Sequence, residues 1–387
     1  MTSWNWLTQT QARWPFVLRV LLKTGLLLAA FNLIYAALQP LPAIGQLSIY
    51  GWLAPYRPRL PYADRPELAY SLSLNSLETM FASHAIRAPK ATDEYRVALI
   101  GDSSTWGVLL RPEETYAGVL NTLDLSSPDG RRMVFYNLGY PQQSLAKDGL
   151  ILQEALHYGL DEVLWLVTLE AFAPHAQLDP LIVRQNPARA RALLGDELVA
   201  HYESLPDGPI LHRSTFWDET LFGQRRALAD WWRLQWYGLA WASTGLDQHY
   251  PVSYPLRSND FSPQDFDGDL TSWQNYNAER PLTADDLAFG VLTRLSQVAG
   301  SVPLRLVNEP IFIADGQGSE TRYNFWYPRW AYDLYRELLS DHAQAYNWAY
   351  LDLWDAIAPD EFTDSPVHLT PRGAQQTGKA LAAWLTR

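Results

Sequence analysis

Two short stretches, far apart in the chain, hold the residue types that acyl transfer needs. Gly101-Asp102-Ser103-Ser104-Thr105-Trp106-Gly107 places a serine hydroxyl directly after the apolar run Arg96–Ile100. A hydroxyl is a weak nucleophile near neutral pH and needs a positioned base to take its proton. Asp364-Ser365-Pro366-Val367-His368-Leu369-Thr370-Pro371 supplies an imidazole with a carboxylate shortly before it. Imidazole changes charge near neutrality, so it can take the serine proton and return it to a leaving group. A carboxylate holds such a ring in the right tautomer. Each stretch has an ordinary alternative, because Gly, Asp and Ser are all turn formers and a lone His before a helix is commonly a surface or capping residue. Chance is a poor explanation for both at opposite ends of one domain. The expected pair is Ser103 and His368, with Asp364 as orienting acid; Ser365 or a backbone carbonyl is the alternative in that third role.

Such a pair needs a scaffold that brings two distant loops together. The apolar runs Arg96–Ile100, Met133–Leu138, Glu162–Leu169, Leu304–Asn308 and Tyr350–Leu353 read as buried strands. Helical patterns follow over Glu113–Leu123 and Ser144–Tyr158, and Ala374–Leu385 closes the chain. Strands alternating with helices at this spacing predict an α/β fold: a mainly parallel sheet with helices on both faces, in three layers. Catalytic residues then sit at the carboxyl ends of the strands. The expected organisation is residues 1–40 as tip and anchor, 41–94 as a Pro-rich extended linker and lead-in, and 95–387 as the main domain. Between Phe172 and Leu282 the strand pattern stops and Trp217, Trp231, Trp232, Trp236, Trp241 and Trp273 accumulate. This reads as an insertion of helices and loops, about 172–282, whose aromatics form its local core or else line an acyl or glycan groove.

Composition removes several function classes. With 48% hydrophobic residues, 17 Trp and 21 Tyr, the chain has far more apolar surface than one that stays unfolded. A net charge of -12 without a basic run leaves nothing to attract a phosphate backbone, so nucleic acid is not an expected partner. Zero Cys removes disulfides, thiolate metal sites and cysteine nucleophiles together, and nothing in the pattern asks for a metal or cofactor.

From Phe16 to Leu38 only Arg19, Lys23 and Asn32 interrupt an apolar run, and no such run recurs downstream. A helix crosses a bilayer with about 20 residues, and Arg19 and Lys23 can snorkel toward the headgroups. The segment is expected to be a single-pass membrane anchor; a buried helix or a cleaved signal peptide is the alternative. Arg13, Arg19 and Lys23 precede the apolar stretch, which puts Met1 in the cytoplasm and the main domain outside it.

The stretches around Ser103 and His368 resemble the first and last sequence blocks of the SGNH/GDSL hydrolases. GDSSTWG is similar to the family's GDSxxxG opening, which implies Ser103 as nucleophile and its backbone N–H as an oxyanion donor. FTDSPVHLTPRG resembles the closing block, which implies His368 as base. Tyr136-Asn137-Leu138-Gly139-Tyr140-Pro141 resembles the second block and implies that the Gly139 N–H completes the oxyanion hole. Two departures stand out. The family's Asp lies three residues before its His, where this chain has Ser365, with Asp364 one residue earlier. The third block's Asn is missing from Val167-Thr168-Leu169-Glu170, and a carboxylate there would repel an oxyanion. Asn137 and Asn308 are therefore expected as substitute donors, and Glu170 as a partner for a substrate hydroxyl. The resemblance implies a serine esterase or O-acyltransferase. With its anchor, the chain resembles envelope members that act on a glycan or lipid ester beside a multi-spanning membrane partner. A noncatalytic glycan-binding or membrane-complex subunit is the competing expectation.

Overall fold

The computed structural model describes residues 14–53, 56–62, 76–206, 208–244, 253–260, 270–277 and 282–386. Five strands form one parallel sheet: β1 Glu94–Ile100, β2 Arg132–Asn137, β3 Glu162–Val167, β4 Leu304–Asn308 and β5 Ala349–Asp352, in the order β2-β1-β3-β4-β5. Each lies within two residues of a run expected from the sequence. Register aligns the carboxyl ends, with Leu99 opposite Asn137, Ile100 opposite Trp165, Val167 opposite Asn308 and Asn308 opposite Asp352. The strand order reverses between β1 and β3, and that reversal opens a crevice beyond the carboxyl ends of an open α/β sheet.

Strand alternation feeds two separate cores, one on each face of the sheet. Ala98, Ile100, Val163, Trp165 and Leu306 point to one face, covered by the helices Leu77–Ala82, Leu145–Ala155, Phe289–Ala299 and Arg329–Ala345. Val97, Leu99, Leu164, Leu166 and Val307 point to the other, covered by Tyr116–Asn121 and the closing helix Pro371–Leu385. Fully burying each of the Val, Leu and Ile side chains contributes roughly 1.5–3 kcal/mol. The helix expected over Glu113–Leu123 is shorter and begins at Tyr116, because Thr115 caps it by accepting from the Gly118 N–H. Pro112 starts a separate turn just before it.

The lead-in is not the extended linker expected: Leu41–Gly45 and Ile49–Leu53 are short helices, the first with Pro42 in its opening turn where no N–H is needed, and residues 56–62 run extended. Arg59 is buried and gives hydrogen bonds to the carbonyls of Gly107 and Leu110, while the Trp106 indole donates to the Leu60 carbonyl. Leu77, Met80 and Phe81 sit in the core. Residues 63–75, with Pro66, lie outside the described residues.

Among the described residues one helix, Trp14–Leu38, is long and apolar enough to cross a membrane, and its most apolar window buries nothing against the rest of the chain. Residues 1–13, including Arg13, lie outside the described residues. The Trp-rich region contains the helices Leu181–Gln185, Pro187–Leu194, Asp196–Glu203 and Arg225–Thr244 and, among its described residues, no strand. Its aromatics divide. Trp273 is buried in the main core, but Trp217, Trp232 and Trp236 are 74%, 54% and 60% exposed and form neither a local core nor a groove wall. The Trp241 side chain lies outside the described residues.

Candidate active site

Ser103 is the first residue of a single helical turn, Ser103–Trp106, that springs from the end of β1 at the crevice. Asp102 caps this turn, accepting from the Ser104 N–H at 2.8 Å, and Gly107 ends it at φ +85°, a left-handed conformation that a side chain would strain. As first helical residue, Ser103 has an N–H with no intrahelical partner. That leaves the donor available beside its own hydroxyl.

His368 stands just before the closing helix, in a loop pinned by the Phe362–Leu369 bridge and the Thr363 N–H to His368 carbonyl hydrogen bond. Its Nε2 lies 2.8 Å from Ser103 Oγ and its Nδ1 lies 2.8 Å from Asp364 Oδ1. With carboxylate on Nδ1, that nitrogen is the protonated one, and Nε2 is left as the acceptor for the serine proton. Burial pushes the Asp364 carboxyl up, but the hydrogen bond and charge of His368 outweigh it and hold it below its ordinary value. Ser365 instead accepts from the Val367 N–H and does not face the ring.

The expected oxyanion donors are placed less simply. Gly139 packs directly behind the nucleophile turn, where an added Cβ would come within 2.4 Å of the Trp106 nitrogen, so this position tolerates only glycine. Its N–H is taken by Asn137 Oδ1 at 3.1 Å, while Asn137 Nδ2 donates to the Trp106 carbonyl at 3.3 Å. Asn137 thus ties β2 to the nucleophile turn and does not offer its amide to the crevice. Asn308 is corrected outright. It is fully buried, donates to Asp352 and accepts from the hydroxyls of Tyr332 and Tyr335, so its amide serves the β4–β5 junction. Glu170 follows β3 and accepts from the Trp273 indole at 3.3 Å. With Trp273, Phe325, Trp326 and Arg322 it lines a cavity of about 410 Å³, and burial raises its carboxyl. This cavity adjoins the triad loop through Arg257, whose guanidinium reaches the Asp364 carbonyl at 3.4 Å and lies 4.6 Å from the Phe325 ring.

Beneath Ser103 lies a buried polar cluster that sequence reasoning missed. Ser104 Oγ donates to the buried Glu309 carboxyl, and burial together with the Asp102 charge pushes that carboxyl well up. Lys147, fully buried, ties the Gly101 carbonyl (2.8 Å) to the Tyr140 carbonyl (2.7 Å) and pairs with Asp148 at 2.5 Å. It thereby fixes the chain just before Ser103 against the chain just after Gly139. The half-exposed Gln143 amide donates to Asp102 at 2.6 Å. The only signal for these groups was charge inside otherwise apolar elements, at Lys147-Asp148 and in Val307-Asn308-Glu309-Pro310.

No family model and no curated protein matches the chain. Among solved structures it is similar to a Desulfitobacterium hafniense protein described as lipolytic and of the G-D-S-L family, at 12% identity over 75% of this chain and 98% of that one, with a TM-score of 0.33. The M. smegmatis aryl esterase matches at 13% identity, 76% and 98% coverage and TM-score 0.33. An acetylxylan esterase from Geobacillus stearothermophilus matches at 12% identity, 76% and 94% coverage and TM-score 0.37. These likenesses concern the fold, and the arrangement of Ser103, Asp364 and His368 stands on its own distances.

Proposed function

We propose that this chain is a membrane-tethered serine esterase or O-acyltransferase that works through an acyl-Ser103 intermediate. One observation carries the reading: Ser103 Oγ, the two nitrogens of His368 and Asp364 Oδ1 form an unbroken line with both contacts at 2.8 Å. Ser103 Oγ attacks the ester carbonyl carbon while its proton passes to His368 Nε2. The tetrahedral oxyanion meets the Ser103 N–H, and the Gly139 N–H once the Asn137 oxygen gives way to it. Collapse breaks the ester C–O bond, and the leaving alkoxide takes the proton from His368. Water then deacylates the serine, giving hydrolysis, or an acceptor hydroxyl does so, giving transfer; His368 is the base in either case.

The substrate class we infer is an O-acyl ester of a cell-envelope glycan or lipid. The apolar helix Trp14–Leu38 would hold the site at a bilayer surface, with the catalytic domain outside the cytoplasm and the acyl donor passed on by a multi-spanning partner. Aromatic faces beside a carboxylate suit a sugar ring, which stacks on Trp and donates hydroxyls to Glu170. Treatment with a fluorophosphonate should label the native chain at Ser103 and leave Ser103→Ala unlabelled. A native chain that neither labels nor turns over an aryl ester would sink the reading in favour of a noncatalytic glycan-binding or membrane-complex subunit.

A further inference from the structure

We propose that the helix Arg225–Thr244, with the loop before it, is a second membrane-contacting element: a collar that lies on the phospholipid surface where the apolar helix leaves the bilayer. The inference rests on reading Trp14–Leu38 as a membrane span and goes beyond it, because it concerns how the globular domain sits.

The collar is built onto the apolar helix. Tyr35 Oη donates to Gln224 Oε1 at 2.9 Å, and the Phe222 N–H donates to Asn32 Oδ1 at 3.3 Å. About 20 residues are needed to cross the hydrocarbon layer. With Arg19 snorkelling to the headgroups on the other side, that many residues end at Leu38, so Asn32 and Tyr35 lie in the last two turns before the helix leaves the hydrocarbon. Phe222 and Gln224, bonded to them, are held where the chain approaches the headgroups.

The outward face of the collar has the chemistry of that depth. The inner side of the helix Arg225–Thr244 is settled: Leu234 and Gln235 are buried, Gln235 Oε1 accepts from the Ile49 N–H at 2.7 Å, and Trp231 donates to the Leu47 carbonyl at 2.8 Å. Its outer side presents Trp232 and Trp236, edge-on at 5.7 Å, with Arg226 and Arg233 exposed on the same helix, and the preceding loop adds Trp217 and Phe222, which are 74% and 73% exposed. Proteins in water rarely leave so many large rings exposed side by side. Trp bodies with an indole N–H, flanked by Arg, favour the boundary between acyl chain and headgroup. Charge agrees. In a chain of net charge -12, the exposed residues of this helix and of the segment before it include Arg213, Arg225, Arg226 and Arg233. Of its acids, Asp218 is bonded to Thr215 and His212, and Asp230 lies 3.6 Å from Arg233, leaving Glu219 at the surface. Anionic headgroups fit this arrangement better than an apolar protein partner does.

The absence of cysteine makes the test direct. Single cysteines, L28C in the apolar helix, W236C in the collar and L123C on the far side of the sheet as reference, are labelled with an environment-sensitive fluorophore. The full chain is reconstituted in phosphatidylethanolamine–phosphatidylglycerol vesicles containing doxyl-labelled lipid. The expected result is blue-shifted emission and doxyl quenching at 28 and at 236, with neither at 123. Quenching at 28 with position 236 behaving like 123 overturns the collar and leaves the span standing. Quenching at 236 without quenching at 28 overturns the span, and with it a collar placed where that helix leaves the bilayer. A label at 236 that is shielded from an aqueous quencher yet untouched by doxyl lipid means that protein covers this face, a second copy included, and overturns the proposal.

Discussion

At the scale of single residues, the geometry favours one of two catalytic arrangements that the sequence leaves open. Asp364 stands one residue further from His368 than the resemblance implies, and it still places Oδ1 2.8 Å from Nδ1 while Ser365 turns to the backbone. Replacing it by an isosteric amide favours the wrong tautomer. Asp364→Asn is therefore expected to lower kcat on a simple aryl ester by about 10⁴-fold while the thermal unfolding midpoint holds. Unaltered turnover would show that Ser103 and His368 work as a dyad. Glu309 calls for the opposite behaviour. Its carboxyl is pushed toward the neutral form, so Glu309→Gln should leave turnover within a few-fold of the native rate. Glu309→Leu leaves Ser104 without its buried partner and should cost about 1–3 kcal/mol in denaturant unfolding. Loss of activity in the Gln variant with stability intact would show that the carboxyl is charged and works electrostatically. Ser103 and His368 were legible because their types are chemically distinctive and follow recognisable elements. Asn308 misled because an Asn at a strand's end looks available, and only tertiary packing shows that two tyrosines and Asp352 hold it.

At the scale of elements, hydrophobic periodicity located all five strands, since a strand buried on both faces leaves a continuous apolar run. It could not show that residues 56–62 dock on the nucleophile turn. Proline marks a segment as neither helix nor sheet but says nothing about what it packs against. His84 is the joint of that docking: Nδ1 accepts from the Ile86 N–H, so Nε2 carries the proton and faces the carbonyls of Pro58 and Asn137. Burial lowers it from 6.5 to about 4. The folded chain thus prefers the neutral ring, and the unfolded chain binds a proton first as the pH falls. The stability from His84 is complete above the unfolded value of 6.5 and is lost progressively down to the folded value of about 4. The loss amounts to about 3 kcal/mol at 1.36 kcal/mol per unit. Urea unfolding across this window should show a slope that His84→Gln flattens. Parallel acid losses in the two proteins would rule the role out.

At the scale of the whole molecule, the lead-in is bonded to the turn that carries Ser103, and the apolar helix is bonded to the segment before Arg225–Thr244. The domain is held at the bilayer by more than a tether, on the reading above. Deleting residues 1–38 should remove the span and leave a folded chain that still sediments with phosphatidylglycerol-containing vesicles. Trp232→Ser with Trp236→Ser should return that truncated chain to the supernatant. Sedimentation unaffected by the double change would place the attachment elsewhere. The distance between nucleophile and base along the chain has a consequence in time. Ser103 and His368 meet across 265 positions, and the closing helix Pro371–Leu385 must seat on Tyr116–Asn121 to hold the base loop. While the polypeptide is being made, its serine therefore emerges early without a partner to take its proton. On the proposed reading, the nascent chain stays chemically inert until the helix Pro371–Leu385 docks, and activity begins only when folding is finished.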